Sequence, residues 1–223
     1  MRRELSTATA DLGVLLLADA RLPTGGHTQS GGLEPALLAG LPEADVPAYL
    51  RTRLRTATTV DAATAVVALH ALRTGEPLER VTDAWAARTP SEVVRAAAIE
   101  VGRGYLRLLA RLDGGSQPRA TEHRPRPVAV ALLAHHLGID PPALARLICH
   151  DDLQTVGAAA LKLVPLDPAE PVTWTLQLAA EVDDVVRRVA ELTEPDDIPA
   201  PAAPALELWQ HAHHHAPRRL FRA

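Results

Sequence analysis

The stretch SEVVRAAAIEVGRGYLRLLARL, residues 91–112, decides the fold class of this chain. Its apolar residues recur every three or four positions, at Val94, Ala98, Val101, Tyr105, Leu108 and Leu112. This period is that of a helix with one buried face. Ser91 is a favourable N-cap, and the glycines at 114 and 115 end the pattern. The stretch therefore predicts a long amphipathic helix.

The same period continues on both sides of this stretch. Further helices are predicted around residues 11–22, 33–39, 46–57, 61–74, 78–89, 128–137, 141–164 and 172–192. We expect the first of them to bury Leu12, Leu15 and Leu16. The alternation of a half-buried strand is missing, and we find no internal repeat. The pattern predicts an all-α fold, a single-domain bundle of roughly eight to ten helices.

The C-terminal residues differ in composition from the rest. Residues 194–204 are rich in Pro and Ala, which is typical of an extended or mobile segment. We predict a helical domain over residues 1–193, followed by a mobile partner-binding tail, rich in Pro, Ala and His, over residues 194–223.

The bulk composition limits the classes of function. Hydrophobic residues make up 47% and charged residues 22%, as in soluble globular proteins. Aromatic residues are only 3%, so the core must consist mainly of Leu, Val and Ala. The formal net charge is −4 and no basic stripe dominates, which argues against nucleic acid as the main partner.

The cysteine count and the N-terminal segment indicate a cytoplasmic protein. Cys149 is the single cysteine, which excludes an internal disulfide and a Cys-based zinc site and is compatible with a reducing cytosol. The apolar run over residues 12–18 is too short to span a bilayer. It lies between Asp11 and Asp19, unlike the core of a signal peptide.

Residues 23–32 form a glycine-rich loop. It contains Gly25, Gly26, Gly31 and Gly32, but the chain has no G-x-x-x-x-G-K-[ST] string, so we expect no GTP binding by a P-loop. These glycines could present N–H groups to a ligand. We favour a sharp turn between helices with positive φ angles, which can also be a recognition surface. Ser30 would then cap a helix that begins near residue 33.

Three segments of the chain resemble the urease accessory protein F family. Residues 22–34, LPTGGHTQSGGLE, are similar to its Leu-Pro-x-Gly-x-Phe-x-x-Ser-x-Gly-Leu-Glu pattern. Residues 160–166, ALKLVPL, resemble its Arg/Lys-Leu-x-Pro-Leu segment, and residues 219–223, RLFRA, its Arg-Leu-Phe-x-Ser ending. The three segments occur in the family's order and span nearly the whole chain.

The chain also departs from the family pattern. His27 stands where the family usually has Phe, and Gln29 where Tyr or His is usual. Asp167-Pro168 stands where the family has Gly-Gln directly after its Pro-Leu pair, and the last residue is Ala223 where the family has Ser. Without Phe at position 27 the loop loses an apolar anchor, so we expect it to pack differently.

The resemblance implies an all-α homodimer that assembles with urease accessory protein D (H in some species) and the GTPase accessory protein G. This complex would dock on urease apoprotein, where GTP hydrolysis by G is coupled to nickel insertion. The chain itself would bridge D and G and regulate the GTPase step without being an enzyme. It would hold no stable cofactor and no GTP, with nickel at most in transit. The matching residues are then expected to bind partners: Leu22, Pro23, Gly25, Ser30, Gly32, Leu33, Glu34, Lys162, Pro165, Leu166, Arg219, Leu220 and Phe221.

Two of these positions carry specific expectations. Phe221 is the only phenylalanine, and beside Arg219 it would form an exposed anchor pair for a partner, unless the chain end is simply disordered. Lys162 lies near a predicted helix end, where a cation is favoured by the helix dipole, and partner contact is the alternative.

The histidines of the tail offer a candidate metal site. His211 and His215 are four residues apart, so on a helix they could share one Ni²⁺ ion, although solvated side chains are the simpler interpretation. Cys149 to Asp152 cannot all converge on one ion, because successive helix residues point in different directions. We expect a polar helix face there, with Cys149 as a small core residue. The competing functions are a urease-independent nickel carrier that uses the histidine tail and an unrecognised hydrolase. No nucleophile and base pattern supports the latter.

Overall fold

The computed structural model describes residues 7–114, 123–214 and 220–221. Within these ranges the regular structure is helical and contains no strand, which confirms the all-α prediction. The α-helices are α1 Thr7–Leu17, α2 Leu33–Leu38, α3 Val46–Arg53, α4 Thr59–Thr74, α5 Glu79–Ala87, α6 Glu92–Leu112, α7 Arg126–Leu137, α8 Pro141–Leu163, α9 Glu170–Gln177, α10 Ala179–Val189 and α11 Pro204–His214. Among the described helices, none has the length and apolar character needed to cross a membrane.

Helix α4 lies at the centre of the bundle. Nearly all of its residues from Thr59 to Leu69 are buried, and it packs against α5, α7, α8 and α10. A helix that is apolar on all sides has to be surrounded by others. Its small side chains, mostly Ala and Val, let the neighbouring helices approach closely, as the low aromatic content predicts.

Helices α3 and α4 form one continuous rod. A π-helical turn, Leu54–Thr58, joins them, and Thr59 Oγ1 donates a hydrogen bond to the Leu54 carbonyl oxygen at 2.7 Å. Arg53 and Thr58 are five residues apart, which in an α-helix of 3.6 residues per turn would separate their directions by about 140°. The wider π turn brings both toward the same side, facing α8.

Several predicted helix ends are confirmed. Ser91 Oγ accepts a hydrogen bond from the Val94 N–H, and Asp140 Oδ1 accepts one from the Ala143 N–H at 2.7 Å. Gly75 and Gly138 end α4 and α7 in the left-handed conformation, with φ of 80° and 74°. The helix predicted over residues 172–192 is instead two helices, α9 and α10, separated at Leu178.

Helix α1 packs differently from the prediction. Leu12, Leu15 and Leu16 were expected to be buried, but 57%, 70% and 53% of their surfaces are exposed. Gly13 and Leu17 form the packing face instead. An added Cβ at Gly13 would lie 3.2 Å from Leu137 Cδ1, so the glycine permits close contact with the end of α7. An almost unbroken apolar run does not indicate which face is buried.

The predicted mobile tail is folded against the bundle where it is described. Arg88 donates hydrogen bonds to the carbonyl oxygens of Ile198 at 2.5 Å and Asp196 at 3.0 Å. Glu207 on α11 accepts one from the Ser91 N–H at 3.1 Å. The side chains of Ile198, Leu206 and Phe221 are buried, which explains why this segment does not extend into solvent.

Candidate partner-binding site

The glycine-rich loop between α1 and α2 is a compact turn. Gly25, Gly31 and Gly32 have φ angles of 85°, 60° and 80°, as predicted for a sharp turn, whereas Gly26 lies in a short 3₁₀ helix without a positive φ. Tyr49 Oη on α3 donates a hydrogen bond to the Gly31 carbonyl oxygen at 2.7 Å. This bond ties the loop to the centre of the bundle.

Packing also requires a glycine at position 32. An added Cβ there would lie 2.6 Å from Gln210 Nε2 on α11 and 2.8 Å from Tyr49 Oη. The loop is therefore enclosed between α3 and the tail helix. Tyr49 also stacks on Trp209 of α11, with ring centroids 6.5 Å apart. The conformation of the loop and the position of the tail consequently depend on each other.

Ser30 contributes to the start of α2, but it is not the N-cap residue that was predicted. Helix α2 begins at Leu33 as predicted, but its N-cap is Gly32, without a side-chain capping bond. Ser30 is fully buried, and its Oγ lies 3.4 Å from the Glu34 backbone nitrogen, which donates to it. The serine supports the first turn of α2 from two residues before the cap.

The carboxylate of Glu34 binds the end of the chain. Oε1 accepts the Leu220 N–H at 2.6 Å, and Oε2 accepts the Phe221 N–H at 2.8 Å. The Glu34 side chain is buried, its bond to Phe221 is buried as well, and its bond to Leu220 is partly buried. Hydrogen bonds to an ionised carboxylate are stronger than those between neutral groups. Glu34 thus fixes the C-terminal segment against the first turn of α2.

Lys162 completes this arrangement from α8. Its Nζ lies 5.2 Å from the centre of the Phe221 ring, a cation–π geometry. The expectation that Phe221 is an exposed anchor is wrong, because its side chain is only 4% exposed. Leu220 beside it is 63% exposed instead. The three motif segments, far apart in sequence, therefore meet through Glu34, Lys162 and residues 220–221, which we call the motif cluster.

A small pocket adjoins the motif cluster. It has a volume of about 90 Å³ and lies between the glycine-rich loop, α6 and α8. His27, Gln29, Tyr105 and Phe221 contribute to its wall. The two loop positions that depart from the family pattern thus lie together at one recess. Its size suits the tip of one side chain rather than a nucleotide or cofactor.

The predicted site residues fall into two groups. Ser30, Gly32, Leu33, Glu34 and Phe221 are buried and hold the cluster together. Those with substantial exposure are available to another protein: Pro23, Lys162, Pro165 and Leu220, with Leu22, Gly25 and Leu166 half-buried. Arg219 lies outside the described residues.

The metal prediction remains untested by this structure. His211 is on α11 with an exposed side chain, whereas His215 lies outside the described residues. In the described part of the chain, no group of three or more His, Cys, Asp or Glu side chains could hold a metal ion. Cys149 is a buried core residue, as expected, and burial raises the pKa of its thiol to about 12.

A buried ionic cluster behind the loop was not predicted from the sequence. Arg53 donates to both oxygens of Asp152, from Nη2 at 2.5 Å and Nε at 3.1 Å, and Thr58 Oγ1 donates to Asp152 at 2.6 Å. Arg126 donates from Nη1 to Asp151 at 3.1 Å. The cluster joins α3, α7 and α8 just below the glycine-rich loop.

The pairing with Arg53 controls the ionisation of Asp152. Burial alone would raise the pKa of Asp152, but the two hydrogen bonds and the charge of Arg53 hold it below its usual value. Asp152 is therefore ionised at neutral pH. Burial raises the pKa of the Tyr49 phenol to about 12, which keeps its hydroxyl protonated as the donor to Gly31.

Comparison with known proteins supports one family. A family model described as UreF matches residues 42–179, more than half of the chain. The chain is 36% identical over 212 residues to a protein named urease accessory protein UreF from Mycobacterium sp. (strain JLS), covering 93% of this chain and 96% of that protein. Proteins of the same name from Mycobacterium bovis (strain ATCC BAA-935 / AF2122/97) and Mycobacterium tuberculosis (strain ATCC 25618 / H37Rv) are 35% and 34% identical, each covering 82% of this chain and 90% of the relative.

Proposed function

The chain belongs to the UreF family of urease accessory proteins, and from this premise we propose that it is a non-catalytic scaffold for nickel insertion into urease. It bridges urease accessory protein D (H in some species) and the GTPase accessory protein G on urease apoprotein. It acts in the cytoplasm as a homodimer. GTP is bound and hydrolysed by protein G, and nickel is at most in transit through the complex.

The convergence of three distant segments in the motif cluster carries this proposal. Glu34, Lys162 and residues 220–221 come from the start, the last third and the end of the chain, and they meet within one small region. Leu33 and Phe221 of this region belong to the same hydrophobic core as α4, whereas Lys162 and Leu220 are exposed. The cluster therefore connects the core to a surface and fixes the shape of that surface.

This surface works through binding energy alone. The buried members hold the loop and the chain end in one arrangement, and Pro23, Lys162, Pro165 and Leu220 face outward beside them. A partner that contacts these residues favours this arrangement over others, because a ligand shifts a conformational equilibrium by its difference in affinity. The same difference in affinity would transmit the binding of protein D to the GTPase.

The direct test is binding of the cognate accessory protein D to Leu220→Glu. Leu208→Glu is the matched control, since Leu208 also lies in the C-terminal segment and is 68% exposed against 63% for Leu220. Both variants should fold as the parent protein does, because neither side chain is buried. We expect Leu220→Glu to weaken the complex at least about tenfold, as for the loss of one anchor residue.

Urease activation should also be measured in a mixture of protein D, protein G, urease apoprotein, nickel and GTP. We expect Leu208→Glu to support activation as the parent protein does and Leu220→Glu to support it poorly. Equal binding and activation by the two variants would contradict the role of the motif cluster. Tight nickel binding by the isolated chain, without any effect on urease, would favour the urease-independent nickel carrier.

A further inference from the structure

Helix α10 has an apolar face and a charged face. The apolar face packs against α4 and α8 and consists of four buried valines at the helical period, Val182, Val185, Val186 and Val189. The opposite face is exposed and consists of four charged residues, Asp183, Asp184, Arg187 and Arg188. Core packing explains the valines, but it does not explain why these charges lie together on the outer face.

Three arginines surround one recess between this outer face and the π-helical turn. The recess has a volume of about 480 Å³. Arg55 of the turn lines it from one side, and Asp184, Arg187 and Arg188 line it from α10. We call Arg55, Arg187 and Arg188 the arginine face.

The arginine face carries more positive charge than the wall of the recess balances. Of the residues that line the recess, Asp184 is acidic, and its carboxylate is bound by Arg187. Arg188 donates from Nε to the backbone carbonyl oxygen of Asp184 at 3.2 Å, so this bond does not neutralise its charge. No hydrogen bond or ion pair within the described part of the chain involves Arg55.

The carboxylates next to the arginine face are engaged by other arginines. Glu181 accepts a hydrogen bond from Arg51 Nε at 3.0 Å, and Asp183 accepts one from Arg146 Nη2 at 2.9 Å. The bond from Arg51, with a smaller contribution from the charge of Arg55, holds the pKa of Glu181 below its usual value. The recess thus keeps an excess of two positive charges, although the whole chain has a net charge of −4.

From this imbalance we propose that the arginine face binds an acidic segment of a second partner protein. Like charges held close together repel each other, and carboxylates that enter the recess relieve this repulsion. The planar guanidinium group also matches a carboxylate with two parallel hydrogen bonds. The charged residues of α10 extend from 181 to 188, about 10 Å along the helix. A row of carboxylates fits this length better than a single phosphate group does.

The arginine face lies apart from the motif cluster. Asp183 of α10 is bound to Arg146 near the start of α8, whereas Lys162 of the motif cluster lies near the end of the same helix. From Arg146 to Lys162 the helix advances by about 24 Å. Helix α10 also has no extensive packing against α2 or α11 among the described residues. A scaffold that bridges two proteins needs two separate surfaces, so this inference rests on the proposed function and adds the second one.

The first test uses the isolated full-length chain, with a fluorescent hexaglutamate peptide as the probe. Fluorescence anisotropy should show saturable binding that weakens at least about tenfold between roughly 50 and 500 mM NaCl, because salt screens exposed charges. The double variant Arg55→Gln/Arg187→Gln should weaken binding at least about fivefold. The control Arg80→Gln/Arg107→Gln removes two charges from other exposed positions and should change binding less than about twofold.

Inorganic pyrophosphate distinguishes the two kinds of anion. At equal ionic strength we expect it to displace the peptide only at a much higher concentration than unlabelled hexaglutamate. Tighter binding of pyrophosphate than of the peptide would overturn the assignment to an acidic segment. Equal peptide binding by the arginine variant and its control would overturn the arginine face as a binding surface.

The second test measures binding to accessory protein D, accessory protein G and urease apoprotein. Arg55→Gln/Arg187→Gln should weaken one of these complexes at least about fivefold and leave the complex that depends on Leu220 unchanged. Normal binding of all three proteins would overturn the inference even where Leu220→Glu weakens binding of protein D as expected. Peptide binding that depends on the arginine face, together with normal binding of protein D to Leu220→Glu, would instead contradict the role of the motif cluster.

Discussion

The carboxylate of Glu34 accepts a hydrogen bond from the backbone N–H of Phe221 at 2.8 Å, although the two residues are 187 positions apart in the chain. Its other oxygen accepts the N–H of Leu220. The first turn of α2 and the end of the chain are thus one structural unit. A change at either end should be detectable at the other.

Replacing Glu34 with Gln should loosen this unit. The amide keeps the size of the side chain but loses the charge and one acceptor oxygen. We expect the amides of Leu220 and Phe221 to exchange hydrogen roughly tenfold faster, since a bond to a charged group contributes about 1.5–3 kcal/mol. Hydrogen exchange read by NMR measures this directly. Glu43→Gln is the control, because Glu43 is exposed; equal exchange in both variants would contradict the role of Glu34.

Replacing Gly32 with Ala should destabilise the chain by more than its backbone conformation alone requires. Gly75 has the same φ of 80°, but nothing lies within 4 Å of an added Cβ there. Gly75→Ala should therefore cost about 1–2 kcal/mol from the left-handed conformation only. Gly32→Ala adds the crowding against Tyr49 and Gln210, so its loss in urea unfolding should be larger. Equal losses would mean that the loop and α11 can separate freely.

The contact between Lys162 and Phe221 should appear as a coupling energy. We expect a double-mutant cycle of Lys162→Met and Phe221→Leu to give about 0.5–2 kcal/mol, the range for cation–π pairs. The measurement is the free energy of unfolding of the parent, both single variants and the double variant. Strictly additive losses would show that the ring and the ammonium group do not interact.

Removing the charge of Asp152 should destabilise the protein strongly. Asp152→Asn leaves Arg53 buried without its counter-charge, and losses of about 3–5 kcal/mol are usual for such changes. Asp183→Asn breaks only the exposed pair with Arg146 and should cost less than about 1 kcal/mol. Urea unfolding of both variants provides the comparison, and similar losses would contradict a structural role for the buried pair.

The lowered pKa of Asp152 predicts how the difference in stability between the parent protein and Asp152→Asn changes with pH. The pKa of Asp152 is lower in the folded protein than in the unfolded chain, so ionised Asp152 stabilises the fold above the ordinary aspartate pKa of about 3.9. This contribution is lost as the pH falls through the folded pKa. The difference in unfolding free energy between the parent and Asp152→Asn should therefore be constant near neutral pH and shrink in acid. A difference that grows in acid would contradict the assigned shift.

Much of the fold could be predicted because local signals determine it. Ser91 caps the helix that it was expected to cap, and the helices predicted to end at residues 74 and 137 end there, before Gly75 and Gly138. The motif residues 22, 23 and 25 lie in a sharp turn, as the glycines indicated. These features depend on neighbours within a few residues, which a sequence displays directly.

The errors concern contacts between distant segments. Leu12, Leu15 and Leu16 looked like core residues because an apolar run does not show which neighbours are present. Asp152 was interpreted as part of a polar helix face, since nothing near it in sequence reveals Arg53.

The two glycines within α6 were a signal that the sequence analysis did not use. An added Cβ at Gly104 would lie 2.3 Å from the Thr24 carbonyl oxygen, and one at Gly102 would lie 2.1 Å from that of Arg124. A glycine inside a long helix often marks such a close approach of another segment. These positions would have indicated that the loop and the segment before α7 pack directly on α6.

The central claim is that this chain contributes a shaped surface to urease maturation and no chemistry of its own. Urease activity and the nickel content of purified urease, measured in cells that lack the chain, test it most directly. We predict inactive, nickel-poor urease in these cells, restored by the parent protein and by Leu208→Glu and restored poorly by Leu220→Glu. Fully active, nickel-loaded urease in cells without the chain, at ordinary nickel supply, would contradict the account.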